Sequence, residues 1–116
     1  MELAFDSRPL RSICESEAEA QHELGSSVAE MLKHRLADLC AATSINDLVA
    51  GQPRVLDGAV LQHMVVDLSA GYLMIFCANH PNNPLTESGK IDWPKVSRIK
   101  ILRIEGDHVQ YPRVSS

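Results

Sequence analysis

HMVVDLSAGYLMIFCANH, running from His63 to His80, contains two apolar stretches, residues 64–68 and 72–78, separated by Ser69-Ala70-Gly71. A three-residue break ending in glycine between two β-prone runs is a hairpin signal. The second run has no polar member, which suits an interior strand covered on both faces better than an edge. Residues 1–5 form one more short strand-like run upstream, followed by a long helix-prone stretch, and residues 97–104 supply a last strand. The order reads strand, helix, helix, strand, strand, strand, an α+β arrangement in which two N-terminal helices cover a sheet.

The helical stretch carries its own punctuation. Asp6-Ser7 supplies a cap ahead of Pro9 in a first turn, predicting a short helix through Cys14. Ser16 and Glu19 have capping-box spacing, and Leu24, Val28, Met31, Leu32, Leu36 and Leu39 then recur at three and four residues. The spacing predicts one amphipathic helix over residues 17–42, with Gly25 inside it at a cost of about 1 kcal/mol relative to alanine. Ser44 and Asp47 mark a further capped turn over residues 45–49, stopped by Gly51, and residues 54–56 and 60–68 read as the next extended segment.

Residues 79–94, NHPNNPLTESGKIDWP, hold three prolines, three asparagines and a glycine, and read as a long loop with a role of its own or a mobile excursion. Trp93 reads as the anchor that folds this loop back onto the body. The last strand alternates Ile99 and Ile101 on one face with Arg98 and Lys100 on the other. From Gly106 onward the chain reads as a polar, partly frayed tail.

With 116 residues and 45% hydrophobic content, the chain fits one domain spanning residues 1–116. A net charge of -4 argues against a protein that grips nucleic acid by bulk attraction. The charge is uneven, acidic over the first fifty residues and basic from Lys90 onward. Cys14, Cys40 and Cys77 are odd in number and sit singly among apolar residues, as reduced thiols packed like small hydrophobes do. No basic-then-apolar start and no long apolar run is present, so a cytoplasmic address without membrane insertion is expected. No C-x-x-C spacing, helical His pair or glycine-rich phosphate loop occurs, so no metal and no small-molecule cofactor is expected.

The order of elements resembles the RelE/ParE toxin superfamily, and several phrases are most similar to its HigB branch of plasmid maintenance killer proteins. They are Leu32-Lys33-His34-Arg35-Leu36-Ala37-Asp38-Leu39, then Ala41-Ala42-Thr43-Ser44, and Gly71-Tyr72 opening an apolar strand that contains Ile75 and Phe76. The resemblance covers residues 1–108. It implies a curved, mainly antiparallel RelE-like sheet with two helices on one face. It also implies the toxin component of a type II toxin-antitoxin system, with a HigA-like antitoxin as partner and a ribosome-dependent endoribonuclease activity on mRNA.

Cutting RNA without metal needs a base for the 2′-hydroxyl, an acid for the departing 5′-oxygen and cations for the phosphate. Asp107-His108 resembles the Asp-Tyr-His ending of HigB toxins without its Tyr, which makes His108 the candidate acid or base. Leu73 stands where the family places an Arg after the strand aromatic, and Asp57 before Gly58 where it places a Lys. Read from the residues themselves, His63 and His80 are further candidates for proton transfer. Arg54, Arg98, Lys100 and Arg103 are candidates for holding RNA, and the last three are also a basic side on which an acidic antitoxin segment would dock. The alternative is a toxin-fold protein whose catalytic face has lapsed or been redirected, binding an antitoxin or another protein target such as gyrase.

Overall fold

The computed structural model describes residues 1–56, 62–106 and 109–111. It is an α+β structure in which three helices and a mixed sheet share one hydrophobic cluster. Strand β1 (Glu2–Phe5) leads into α1 (Arg8–Glu15), where Ser7 Oγ accepts from the Leu10 N–H and Pro9 occupies the first turn, as its sequence predicts. Ser16 ends α1 in extended conformation and at once caps α2 (Glu17–Leu24), accepting from the Glu19 N–H at 3.2 Å.

The single helix expected over residues 17–42 is two helices. Gly25 has φ +84°, in the left-handed region that glycine enters without cost, and a Cβ there would meet nothing within 4 Å. Backbone handedness therefore makes the break, closing α2 through the Gly25 N–H to the Gln21 carbonyl and opening α3 (Ser26–Ala41) through the Gly25 carbonyl. The change of direction lets Ala20 and Leu24 of α2 and Val28, Ala29, Leu32 and Leu39 of α3 all enter the same core. The α-ammonium of Met1 donates to the Leu39 carbonyl at 3.0 Å and also to those of Cys40 and Ala42, tying β1 to the negative end of α3.

The remaining strands are β2 (Arg54–Leu56), β3 (His63–Asp67), β4 (Leu73–Ala78), β5 (Arg98–Gly106) and β6 (Val109–Tyr111), in the order β1-β5-β4-β3-β2 with β6 also on β5. The extended segment expected across residues 54–68 is two antiparallel strands, with Arg54 opposite Val65 and Leu56 opposite His63; Val60 and Leu61 lie outside the described residues. β1 runs parallel to β5 and every other pairing is antiparallel. Part of the expected polar tail returns as β6, where Tyr111 is buried and donates from its hydroxyl to the Glu23 carbonyl at 2.6 Å; residues 107–108 and 112–116 lie outside the described residues.

β4 is interior, between β3 and β5, as its uninterrupted apolar run predicts. The hairpin before it turns on Ala70 at φ +55° and Gly71 at φ +79°, with the Tyr72 N–H donating to the Ser69 carbonyl. Positive φ at both central residues is the type I′ geometry that matches strand twist. Tyr72 lies just outside β4, and a Cβ on Gly106 would fall 2.3 Å from its ring, so only glycine fits at that point of β5.

Met64, Val66, Met74, Phe76, Ala78, Ile99, Ile101 and Ile104 face the helices. The register of β4 on β5 slips between Ile75 and Phe76, leaving Leu102 as an extra residue that returns Ile104 to the core face. The loop over residues 79–94 is folded rather than an excursion. Leu85 bridges Ile91, Asp92 donates its N–H to the Pro84 carbonyl, and Trp93 packs edge-on against Phe76 at 6.5 Å. Trp93 is the anchor its sequence position suggests. Cys14 and Cys77 are partly covered, but Cys40 is exposed, against the expectation of three packed thiols. Among the described residues no helix is long and apolar enough to cross a membrane.

Candidate functional site

Because the helices take one face of the sheet, the alternate residues of each strand define the other. The register sets them in rows: Arg54, Val65, Ile75 and Arg103 across β2 to β5; Asp67, Leu73 and Glu105 in a second row; Cys77, Lys100 and Ala4 in a third. His63, paired with Leu56, lies on this face beside Val65. Val65 and Ile75 are buried yet belong to no helix-facing cluster, so they form a small apolar floor of their own. Arg54 and Arg103 stand at the two ends of that row, where their methylene stems can cover the floor while the guanidinium groups stay wet.

The cations of this face are matched one for one. Arg54 pairs with Asp67 at 3.0 Å, Arg98 with Glu2 at 3.1 Å, Lys100 with Asp6 at 3.7 Å, and Arg103 with Glu105. These half-exposed pairs add little to stability. They do cancel charge: among the described residues four positive groups meet four negative ones, which leaves no basic excess among them to attract a phosphate backbone. The carboxylates were missed in the sequence, although Glu105 follows Arg103 by the two residues that place both on one face.

The structure thus brings together His63, Arg54, Arg98, Lys100 and Arg103. Burial, then the nearby charge of Arg103, holds the His63 imidazole below its ordinary pKa, so it is neutral at physiological pH. Burial likewise pushes the Cys77 thiol up, with the Lys100 ammonium opposing it in part, and leaves no thiolate nucleophile. In the second row, Leu73 stands between two carboxylate residues, Asp67 and Glu105.

His80 is set apart. Its Nε2 accepts from the backbone N–H groups of Ser97 at 3.1 Å and Arg98 at 3.3 Å, while the backbone N–H of His80 donates to Asn83 Oδ1. The ring latches the loop to the start of β5, and a lone pair spent on two backbone donors is not a free base. His108 and Asp57 lie outside the described residues. Among the described residues no group of three His, Cys, Asp or Glu side chains comes together to hold a metal ion. A separate groove between α1, α2 and β6 is lined by Pro9, Ser12, Glu15, Glu19, Glu23 and Tyr111 and is acidic. No family model matches the chain, and no curated protein and no solved structure matches it.

Proposed function

We propose that the chain is a RelE/ParE-like protein of HigB type that works by holding a partner protein, in the first place a HigA-like antitoxin, across its helix-free sheet face, and that cutting RNA is not its chemistry. The observation that carries this reading is the charge balance of that face, where Arg54, Arg98, Lys100 and Arg103 are each committed to a carboxylate. A nuclease face must leave cations unspent for the charge that builds on phosphorus, each worth roughly 3 kcal/mol when correctly placed. A protein-binding face has the opposite need, paired and mixed charge around apolar surface, and here the ion pairs surround the half-buried Leu73, with the buried Val65 and Ile75 beneath it. The placing of all three helices on one face, and of β1 beside the long β5, supports the toxin-like fold.

One observation favours the nuclease reading instead. The neutral imidazole of His63, beside Arg103, is in the state a general base requires. Co-expression with the product of the adjacent reading frame, followed by purification of the complex, tests the first reading. Leu73→Asp, which adds a third carboxylate to the second row, should weaken capture at least tenfold with no change in melting temperature. Undiminished capture would remove the face from the interface.

A further inference from the structure

β2 is the last strand of the sheet among the described residues, and all three of its residues are exposed. Val55 is 40% exposed and Leu56 42%, and Val49, on the segment leading into this edge, is 90% exposed. Sheet edges are normally blunted with charge, because their unpaired backbone groups invite another strand. Here the only charged residue of the strand, Arg54, is paired with Asp67 of β3, so among the described residues this edge presents Val55 and Leu56 with no unpaired charge beside them. The opposite edge is treated differently: β1 carries the carboxylate of Glu2, is followed by Asp6, and is fastened through Met1 to the end of α3.

We infer that β2 pairs with β2 of a second copy of this chain, antiparallel and about a two-fold axis through Val55, joining two sheets into one. The unpaired edge dictates an extended occupant, and this strand is complementary to itself. The two-fold sets Val55 opposite its own mate and Arg54 opposite Leu56 of the other copy, so no like charges face each other and apolar surface meets apolar surface. Because the β1 edge is charged and tethered, the pairing closes at two copies and does not propagate. Three residues per strand make a small interface, so the dimer forms reversibly with rising concentration.

Sedimentation equilibrium of the full chain across a concentration series tests this. Wild type should pass from monomer to dimer, and Val55→Lys, which sets two ammonium groups face to face on the axis, should stay monomeric to at least tenfold higher concentration with an unchanged melting temperature. A monomer at every concentration, or a dimer indifferent to Val55→Lys, overturns the inference. Val55→Cys in a Cys40→Ser background gives a second readout, since antiparallel mates lie about 4.5–5.5 Å apart at Cα and within disulfide reach. Mild oxidation should link it into a dimer. Leu85→Cys, at an exposed site on the folded loop, should remain unlinked; equal linking of both would mean random collision and would also overturn the inference.

Discussion

Gly106→Ala is the sharpest test of how the hairpin is locked to β5. A Cβ at this position would lie 2.3 Å from Tyr72 Cε1, 2.4 Å from Cδ1 and 2.7 Å from Cζ, well inside van der Waals contact along one side of the ring. The ring packs against the core and the backbone of Tyr72 closes the type I′ turn, so neither side yields freely. Overpacking of this kind costs about 2–3 kcal/mol. For a chain of this length that is a fall in melting temperature of roughly 10 °C. Tyr72→Ala alone should cost about 1–3 kcal/mol, because the ring is only partly buried. The double variant should be more stable than the sum of the two losses by about 1–2 kcal/mol, since removing the ring removes the three closest contacts of the new methyl. Urea unfolding of the four proteins gives the cycle directly. Strict additivity would refute the contact and with it the packing of the turn on β5.

Three further outcomes follow from the structure. Ala70→Asn should raise stability by about 0.5–1 kcal/mol, because asparagine tolerates the positive φ that alanine bears at a cost; urea midpoints check it. His80→Ala should lower stability by about 2 kcal/mol, since two backbone N–H groups lose their acceptor, and hydrogen exchange at Ser97 and Arg98 should accelerate, whereas exchange left unchanged would mean that the latch is not made. His63 is held below its ordinary pKa in the folded protein, so the unfolded chain binds the proton more readily and stability declines as pH falls below about 6.5. Replacing it with glutamine should flatten the urea midpoint between pH 7.5 and 5.5, and an equally steep fall in the variant would assign the pH dependence to other groups.

Much of the frame was readable because it rests on local signals. The apolar run of β4, the Ser7 and Ser16 caps, the alternation of Ile99 and Ile101 with Arg98 and Lys100, and the anchoring by Trp93 all depend on neighbours within a few residues. What was not readable depends on handedness or on distant partners. Apolar spacing runs straight through Gly25, and only its left-handed φ divides α2 from α3. The bulge at Leu102 shifts the alternation of β5 by one, and no local signal marks it. β6 is too short and polar to declare itself, and is held by the Tyr111 hydroxyl reaching α2. The site was half legible: the sequence offers the cations and sets Glu105 two residues after Arg103, but Glu2, Asp6 and Asp67 reach their cations only through the pairing of β1 with β5 and of β2 with β3. The bonding of His80 was hidden for the same reason, its two donors being seventeen and eighteen residues away.

The claim that this face binds protein and does not cut RNA is tested most directly by mapping mRNA 5′ ends in a translation reaction supplied with the purified chain. No new ends within translated codons should appear at any protein concentration, because Arg54, Arg98, Lys100 and Arg103 are each paired with a carboxylate rather than left to stabilise the phosphorane. Ends that accumulate with wild type and vanish with His63→Ala would contradict the account and restore the nuclease reading.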